Sequence, residues 1–137
     1  MTDIKNEKAL IDIFGRWPSF HDAEIIRMVL EREGDGGPYL EAQIHVFEMT
    51  TEIDAKGYYV LKNPTLVTFR FTHIVLEYLK WFNQQNVLGD LEIININPEG
   101  NDGCNFKVVM PSSYGCEASF DCKDIVILNV KPYEKAA

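Results

Sequence analysis

The chain has 137 residues, of which 46% are hydrophobic and 25% are charged, values typical of one folded domain and not of a disordered segment. Its 13 basic and 21 acidic residues give a net charge of -8, which disfavours direct binding to nucleic acid because phosphate backbones are also negative. No apolar run approaches the roughly 20 residues that a membrane helix needs. We therefore expect a single domain spanning residues 1–137, with no nucleic-acid or membrane partner.

The first segment is predicted to form a short amphipathic helix over about residues 4–14, capped by Thr2 or Asp3 and ended by Gly15. Its apolar side chains recur at helical spacing: Ala9, Leu10, Ile13 and Phe14. The segment lacks a basic start followed by an apolar run, so we expect no signal peptide.

A corner follows the helix in the stretch WPSFHDAEI (17–25), where His21 and Asp22 precede a predicted strand. A His-Asp pair occurs in metal-dependent phosphohydrolases, but that site also needs further metal ligands gathered from several helices. The remaining histidines, His45 and His73, lie in β-patterned runs. We therefore favour a structural corner, in which the Asp side chain accepts backbone N–H groups and nearby aromatic residues cover the end of the core.

The chain from about residue 23 to residue 131 is predicted to be rich in β-strands. Residues 23–33 and 39–49 alternate in polarity on either side of GDGGP (34–38), which predicts a hairpin. The alternation predicts these inward side chains: Ile26, Met28, Leu30, Leu40, Ala42, Ile44 and Val46.

The middle of the chain begins with a polar excursion at 51–64, around Lys56-Gly57. Residues 65–74 then alternate as a strand, with Val67, Phe69 and Phe71 on one side. The next segment, VLEYLKWFNQQN (75–86), fits either a short helix or a short strand or coil, and we favour the strand or coil.

The last third supplies a strand in residues 89–99 and a terminal meander in residues 105–110 and 117–132. The fold class that follows is α+β and mainly β. We expect the N-terminal helix to pack on, or at the end of, a mostly antiparallel sheet of about six to eight strands.

The three cysteines, Cys104, Cys116 and Cys122, cannot all pair with one another, and their spacing matches no zinc motif. Free thiols are typical of a reducing compartment, so we expect the protein to be cytoplasmic. The residues indicate no cofactor and no metal.

Three segments together resemble the immunity protein 50 family of bacterial polymorphic toxin systems. IFGRWPSFHDAEI (13–25) is similar to its N-terminal signature, where a helix leads through a corner into the first strand. LVTFRFTHI (66–74) with WFNQQNVLGDLEI (81–93) resembles its central part, and FKVVMPSSYGCEASFDCKDIVI (106–127) resembles its C-terminal hairpin.

The resemblance implies a small, mostly β, non-enzymatic protein that binds and neutralises a cognate toxin domain. Shared family residues are expected to be mainly structural: Trp17, Phe20, His21, Asp22, Glu24, Asn83 and Asn86. The net charge suits a basic toxin such as a nuclease. We hypothesise that four acidic residues bind it: Glu41, Glu48, Glu52 and Asp54.

Two alternatives to the immunity role remain open at this point. The chain could be a small metal-assisted enzyme using His21, Asp22 and Glu24, or a general interaction domain without a toxin partner. The acidic residues could equally form a solvated edge that discourages pairing between sheets. The sequence leaves the oligomeric state undecided.

Overall fold

A computed structural model describes residues 4–134, which fold into one helix and eleven strands arranged in two sheets. The elements are β1 (Ile4–Lys5), α1 (Glu7–Phe14), β2 (Glu24–Glu31), β3 (Tyr39–Ile53), β4 (Tyr59–Thr72), β5 (Val75–Lys80), β6 (Val87–Leu88), β7 (Glu92–Asn95), β8 (Phe106–Met110), β9 (Ser112–Tyr114), β10 (Glu117–Cys122) and β11 (Ile125–Pro132). The predicted class, mainly β with one N-terminal helix, is confirmed.

The helix is shorter than predicted because its first expected turn is a strand instead. Ile4 and Lys5 pair in parallel with β11, and Asn6 adopts a left-handed conformation with a φ of 67° before the helix begins at Glu7. The expected caps, Thr2 and Asp3, lie outside the described residues.

The helix ends where the sequence predicted. Gly15 has a φ of 78°, and its N–H donates to the carbonyl of Ile11 at 2.7 Å, which closes the last turn. Leu10 and Phe14, four residues apart, bury their side chains in the core and hold the helix against it.

The larger sheet has seven strands in the order β1-β11-β4-β3-β2-β6-β9, within the predicted range of six to eight. Every neighbouring pair in it is antiparallel except β1 with β11. The smaller sheet, in the order β5-β10-β8-β7, is antiparallel throughout and was not predicted.

The chain crosses between the sheets at Lys123 and Asp124, so β10 and β11 do not form the expected continuous meander. The crossing is held by Thr72, whose carbonyl accepts the N–H of Lys123 at 2.8 Å and whose N–H donates to the carbonyl of Asp124 at 3.0 Å.

The core lies between the sheets and beneath the helix. Phe69 and Phe71 of β4 stack with their ring centroids 5.8 Å apart, and Phe71 meets Phe120 of β10 edge-on at 5.0 Å. All three rings are fully buried, so one aromatic chain joins the larger sheet to the smaller one.

The predicted hairpin of β2 and β3 is present, with one change of face. The inward residues Leu40, Ala42, Ile44 and Val46 are all fully buried as predicted. A bulge in β2 skips Ile26, which is exposed, and Ile25 takes the inward position opposite Ile44. Beyond the bulge, Met28 packs against the core opposite Ala42 as predicted, whereas Leu30 pairs with the buried Leu40 but is itself 48% exposed.

Residues 75–80 form a strand, β5, which confirms the favoured interpretation over the helix. The polar excursion expected at 51–64 is instead the far end of the two longest strands, β3 and β4, joined by a tight turn. Among residues 4–134, no helix is both long enough and apolar enough to cross a membrane.

Candidate functional site

The far end of the β3–β4 hairpin, residues 48–62, is called the arm here. Glu48 pairs with Lys62, Met49 with Leu61, and Ile53 with Tyr59. At its base the register shifts by one residue beside Asn63, which has a φ of 54°. Such a bulge bends a strand, so the arm leaves the line of the sheet at this point.

One face of the arm carries large apolar side chains that remain in water. Residues directly opposite in a pair share a face, as do residues two apart on one strand. Met49, Leu61, Tyr59 and Ile53 therefore lie together, and each is between 40% and 63% exposed. A cluster of exposed apolar side chains on a folded domain is typical of a binding surface.

The tip of the arm is fixed by Asp54. Its carboxylate accepts the N–H of Lys56 at 2.9 Å and the N–H of Tyr58 at 3.0 Å. Gly57 supplies the left-handed residue of the turn, with a φ of 85°. Closer to the base, Thr50 donates its hydroxyl to the carbonyl of Val60 at 2.6 Å. The arm is thus an ordered element, although it projects from the core.

The four acidic residues of the partner hypothesis fall in two places. Glu48, Glu52 and Asp54 all lie on the arm. Glu41 lies on the packed half of β3, where Arg70 donates its Nε to the carboxylate at 2.8 Å. The guanidinium also stacks 4.4 Å from the ring centroid of Tyr39. Glu41 is therefore engaged by Arg70, and Asp54 by the backbone of the arm's turn, whereas Glu48 and Glu52 lie on the strand of the arm between them.

The His21-Asp22 corner is a tight turn between the helix and β2. Asp22 has a φ of 69°, its N–H donates to the carbonyl of Leu88 at 2.9 Å, and its carboxylate lies 3.2 Å from Nδ1 of His21. The N–H of Ala23 donates to the carbonyl of Phe20 at 3.0 Å. The corner is thus held by backbone hydrogen bonds, but not in the way predicted. Asp22 contributes its backbone N–H while its carboxylate faces His21, and the side chain that accepts a backbone N–H is Ser19, from His21 at 3.2 Å.

The aromatic residues of the same stretch anchor the corner to the core. The ring centroids of Trp17 and Phe20 are 5.6 Å apart, and that of Phe20 lies 5.9 Å from that of Phe69. Phe20 is fully buried, so the chain before His21 is fixed in place by packing.

An open cleft of about 420 Å³ separates the corner from the base of the arm. Its walls come from both elements: Arg16, Pro18, Ser19, His21, Asp22, Phe47, Glu48, Met49 and Thr50. The structure thus unites the corner and the arm, which sequence reasoning treated separately.

Glu24, the third residue of the metal-assisted alternative, lies on β2 opposite Val87 of β6. Within residues 4–134, no three or more His, Cys, Asp or Glu side chains converge in a group that could hold a metal ion. No observation favours an enzyme based on His21, Asp22 and Glu24.

Asn83 and Asn86 organise the loop between β5 and β6. The side-chain oxygen of Asn86 accepts the N–H of Asn83 at 2.9 Å and the N–H of Cys116 at 3.1 Å, and its side-chain nitrogen donates to the carbonyl of Asn83 at 2.7 Å. Asn86 is only 2% exposed. It therefore ties this loop to the turn before β10.

The three cysteines are free thiols with raised pKa values. Burial raises the pKa of Cys116 to about 11, and the neighbouring Glu117 carboxylate adds to the shift. Burial is also the main cause of the raised pKa of Cys122 and of Cys104. At neutral pH all three are protonated and hence poor nucleophiles.

Sequence reasoning missed the apolar face of the arm because residues 51–64 are polar on average. The signal was present in Ile53, Tyr58, Tyr59 and Leu61, β-favouring side chains within that polar stretch. The cleft gave no local signal, since its walls come from parts of the chain far apart in sequence.

A family model described as immunity protein 50 matches residues 6–133 of the chain. No curated protein and no solved structure matches this chain.

Proposed function

The chain belongs to the immunity protein 50 family, and from this premise we propose that it binds a cognate toxin domain of a bacterial polymorphic toxin system and neutralises it by stoichiometric occlusion. The observation that carries the proposal is the arm, which is ordered, projects from the core and leaves one apolar face in water.

The apolar face supplies the binding energy in this proposal. Burial of apolar surface is favourable by about 25 cal/mol per Å². Tyrosine residues are among the usual hot spots of protein interfaces, and Tyr59 lies opposite Ile53 in the pair nearest the tip of the arm. Because the arm is already ordered by its turn and its strand pairing, little further ordering opposes association.

Charge directs the encounter. The net charge of -8 favours a basic toxin, such as a nuclease with a positive substrate groove. Glu48, Glu52 and Asp54 lie on the element that makes the contact. Glu48 also lines the cleft beside Asp22, so a basic side chain of the toxin can enter between the arm and the corner.

The protein acts in the cytoplasm in this proposal, which its three free thiols support because disulfides form mainly in oxidising compartments.

Co-expression with the toxin domain encoded beside the gene tests the role directly. We expect cell growth to be restored and the two proteins to co-purify in a fixed ratio. Toxicity that persists without a complex would show that the proposal is wrong.

The arm is tested by Tyr59→Ala, which should weaken binding to the purified toxin domain by about 10-fold or more, since a hot-spot side chain is lost. Leu30→Ala is the matched control, because Leu30 is a similarly exposed apolar residue on β2, outside the arm. Equal affinities for the two variants would exclude the arm as the main contact.

The charge component is tested by Glu48→Lys with Glu52→Lys, measured as association rate against salt concentration. We expect a slower association with a flatter salt dependence, because attractive steering is reduced. Glu99→Lys, in an exposed turn, is the control. An unchanged salt dependence would show that Glu48 and Glu52 do not speed association with the toxin.

A further inference from the structure

A second exposed aromatic feature lies at the end of β5, away from the arm in sequence. Trp81 is 65% exposed and Phe82 is 48% exposed. The ammonium group of Lys80 lies 4.4 Å from the ring centroid of Trp81 and 4.9 Å from that of Tyr78. Tyr78, Lys80, Trp81 and Phe82 are called the aromatic corner here. Two consecutive large rings in water add little to the packing of the fold.

The backbone at Trp81 is strained. Its φ is 64°, in the left-handed region that bulky residues rarely adopt. Such a conformation persists only when its surroundings enforce it, and it is found most often where function needs a fixed geometry. The carbonyl of Trp81 accepts a hydrogen bond from the side chain of Asn83 at 2.9 Å.

The enforcing contacts come from the buried Asn86 network. Asn86 fixes Asn83 through its side chain and reaches across to the N–H of Cys116. Gly115 completes this packing, because a Cβ there would lie 2.3 Å from the carbonyl oxygen of Gln85. The loop that presents Trp81 and Phe82 is therefore held in one conformation by contacts on its inner side.

The charge at the aromatic corner itself is balanced, since the ammonium group of Lys80 lies 3.3 Å from the carboxylate of Glu117. The carboxylates around Lys107, which are Glu77 at 3.7 Å and Asp121 at 3.6 Å, lie farther along the smaller sheet, where Asp121 pairs with Val75 at the start of β5. The chain as a whole carries a net charge of -8, so it repels a second copy of itself and attracts a basic partner.

We infer that the aromatic corner is a second, preorganised contact for the basic toxin domain, with Trp81 as the anchor that enters an apolar pocket on the toxin. This inference rests on the proposed function, and it adds a contact that neither the acidic residues nor the arm provides. An exposed tryptophan on a fixed backbone suits this role, because tryptophan is enriched among hot spots and an ordered loop loses little entropy on binding.

Trp81→Gly separates binding from folding. Glycine adopts a positive φ without strain, so the variant should unfold at the same temperature as the wild type or at a higher one. Leu128→Ala is the control, since Leu128 is an exposed apolar residue on β11 in the other sheet. The probe is the purified toxin domain encoded beside the gene, titrated by calorimetry into the intact chain.

We expect Trp81→Gly to raise the Kd by at least about 30-fold, and Leu128→Ala to leave it within about 3-fold. If the wild type binds the toxin and Trp81→Gly binds equally well, the inference is wrong and the proposed function stands. If the wild type itself does not bind the toxin domain, both the inference and the proposed function are wrong.

Sedimentation of the wild type and of Trp81→Gly without toxin tests whether a second copy of the chain binds at the aromatic corner instead. A monomer for both proteins agrees with the inference. A wild-type dimer that dissociates in the variant would assign the aromatic corner to a second copy of the chain and overturn it.

Discussion

The two longest strands, β3 and β4, are packed along one half of their length and bare along the other. In the packed half, Leu40, Ala42, Ile44 and Val46 alternate toward a core that excludes water completely. In the arm, Met49 and Ile53 of β3 meet Leu61 and Tyr59 of β4, and all four side chains remain exposed.

The difference arises from what lies above each half. The packed half is covered by the smaller sheet, by the helix, and by Trp17 in the stretch before the His21-Asp22 corner. The arm extends beyond the bulge at Asn63. The same ladder of backbone hydrogen bonds therefore supports two roles. Burial makes one half part of the core, and exposure leaves the other half available to a partner.

Phe71→Ala is the substitution that we expect to lower the stability of the packed half most. Phe71 contacts both Phe69 and Phe120, so its removal should lower the free energy of unfolding by about 3–5 kcal/mol. Denaturant titration followed by circular dichroism measures the loss. A loss below about 1 kcal/mol would mean that the two sheets do not depend on this ring.

The buried thiol of Cys116, just before β10, should make the free energy of unfolding depend on pH at alkaline pH. The pKa of Cys116 is raised from 9.0 to about 11 in the folded chain, so the folded state holds its proton more tightly than the unfolded state. The resulting stabilisation is complete below pH 9 and is lost as pH rises toward 11, by at most about 1.4 kcal/mol per pH unit.

Unfolding titrations at several pH values measure the slope of the free energy of unfolding against pH. Cys116→Ala is the control, since it removes this thiol alone. The slope between pH 9 and about 11 should decrease in the variant. An identical slope would show that the folded state does not shift the titration of this thiol.

Tyr59→Ala is the matched aromatic truncation on the arm, and it should have the smallest effect on stability. Because Tyr59 is exposed, we expect a change in the free energy of unfolding within about 0.5 kcal/mol. A loss comparable to that of Phe71→Ala would contradict the division of the hairpin into a packed half and a binding half.

Local pattern predicted the elements better than their arrangement. The GDGGP turn (34–38) and the alternation in β3 are local signals, and the hairpin they predict is present. The bulge at Ile26 is not local, because the choice between Ile25 and Ile26 depends on which side chain fits opposite Ile44. The crossing at Lys123 likewise depends on Thr72, about fifty residues earlier.

The candidate site was predictable only in part. Three of the acidic residues chosen from charge, Glu48, Glu52 and Asp54, lie on the arm, and their role in binding stays a prediction. The fourth, Glu41, is engaged by Arg70, a contact between strands that sequence does not reveal. Average polarity concealed the arm itself, and Trp81 gave no local sign of its positive φ. The contact of Glu41 with Arg70 and the Asn86 network behind Trp81 depend on partners about 30 residues away along the chain, whereas the apolar residues of the arm were visible in the local sequence.

The parallel pairing of β1 with β11 has a consequence for how the chain is made. Ile4 lies against Ile125, and Asn6 donates to the carbonyl of Ile127, 121 residues away. At about 5–20 residues per second, the ribosome needs roughly 6–24 s to supply that partner after the first residues emerge. The arm closes instead between residues such as Ile53 and Tyr59, and hairpins form in about 1–10 μs. On a nascent chain, the arm can therefore form its strand pairs well before the edge of the sheet beside it is complete.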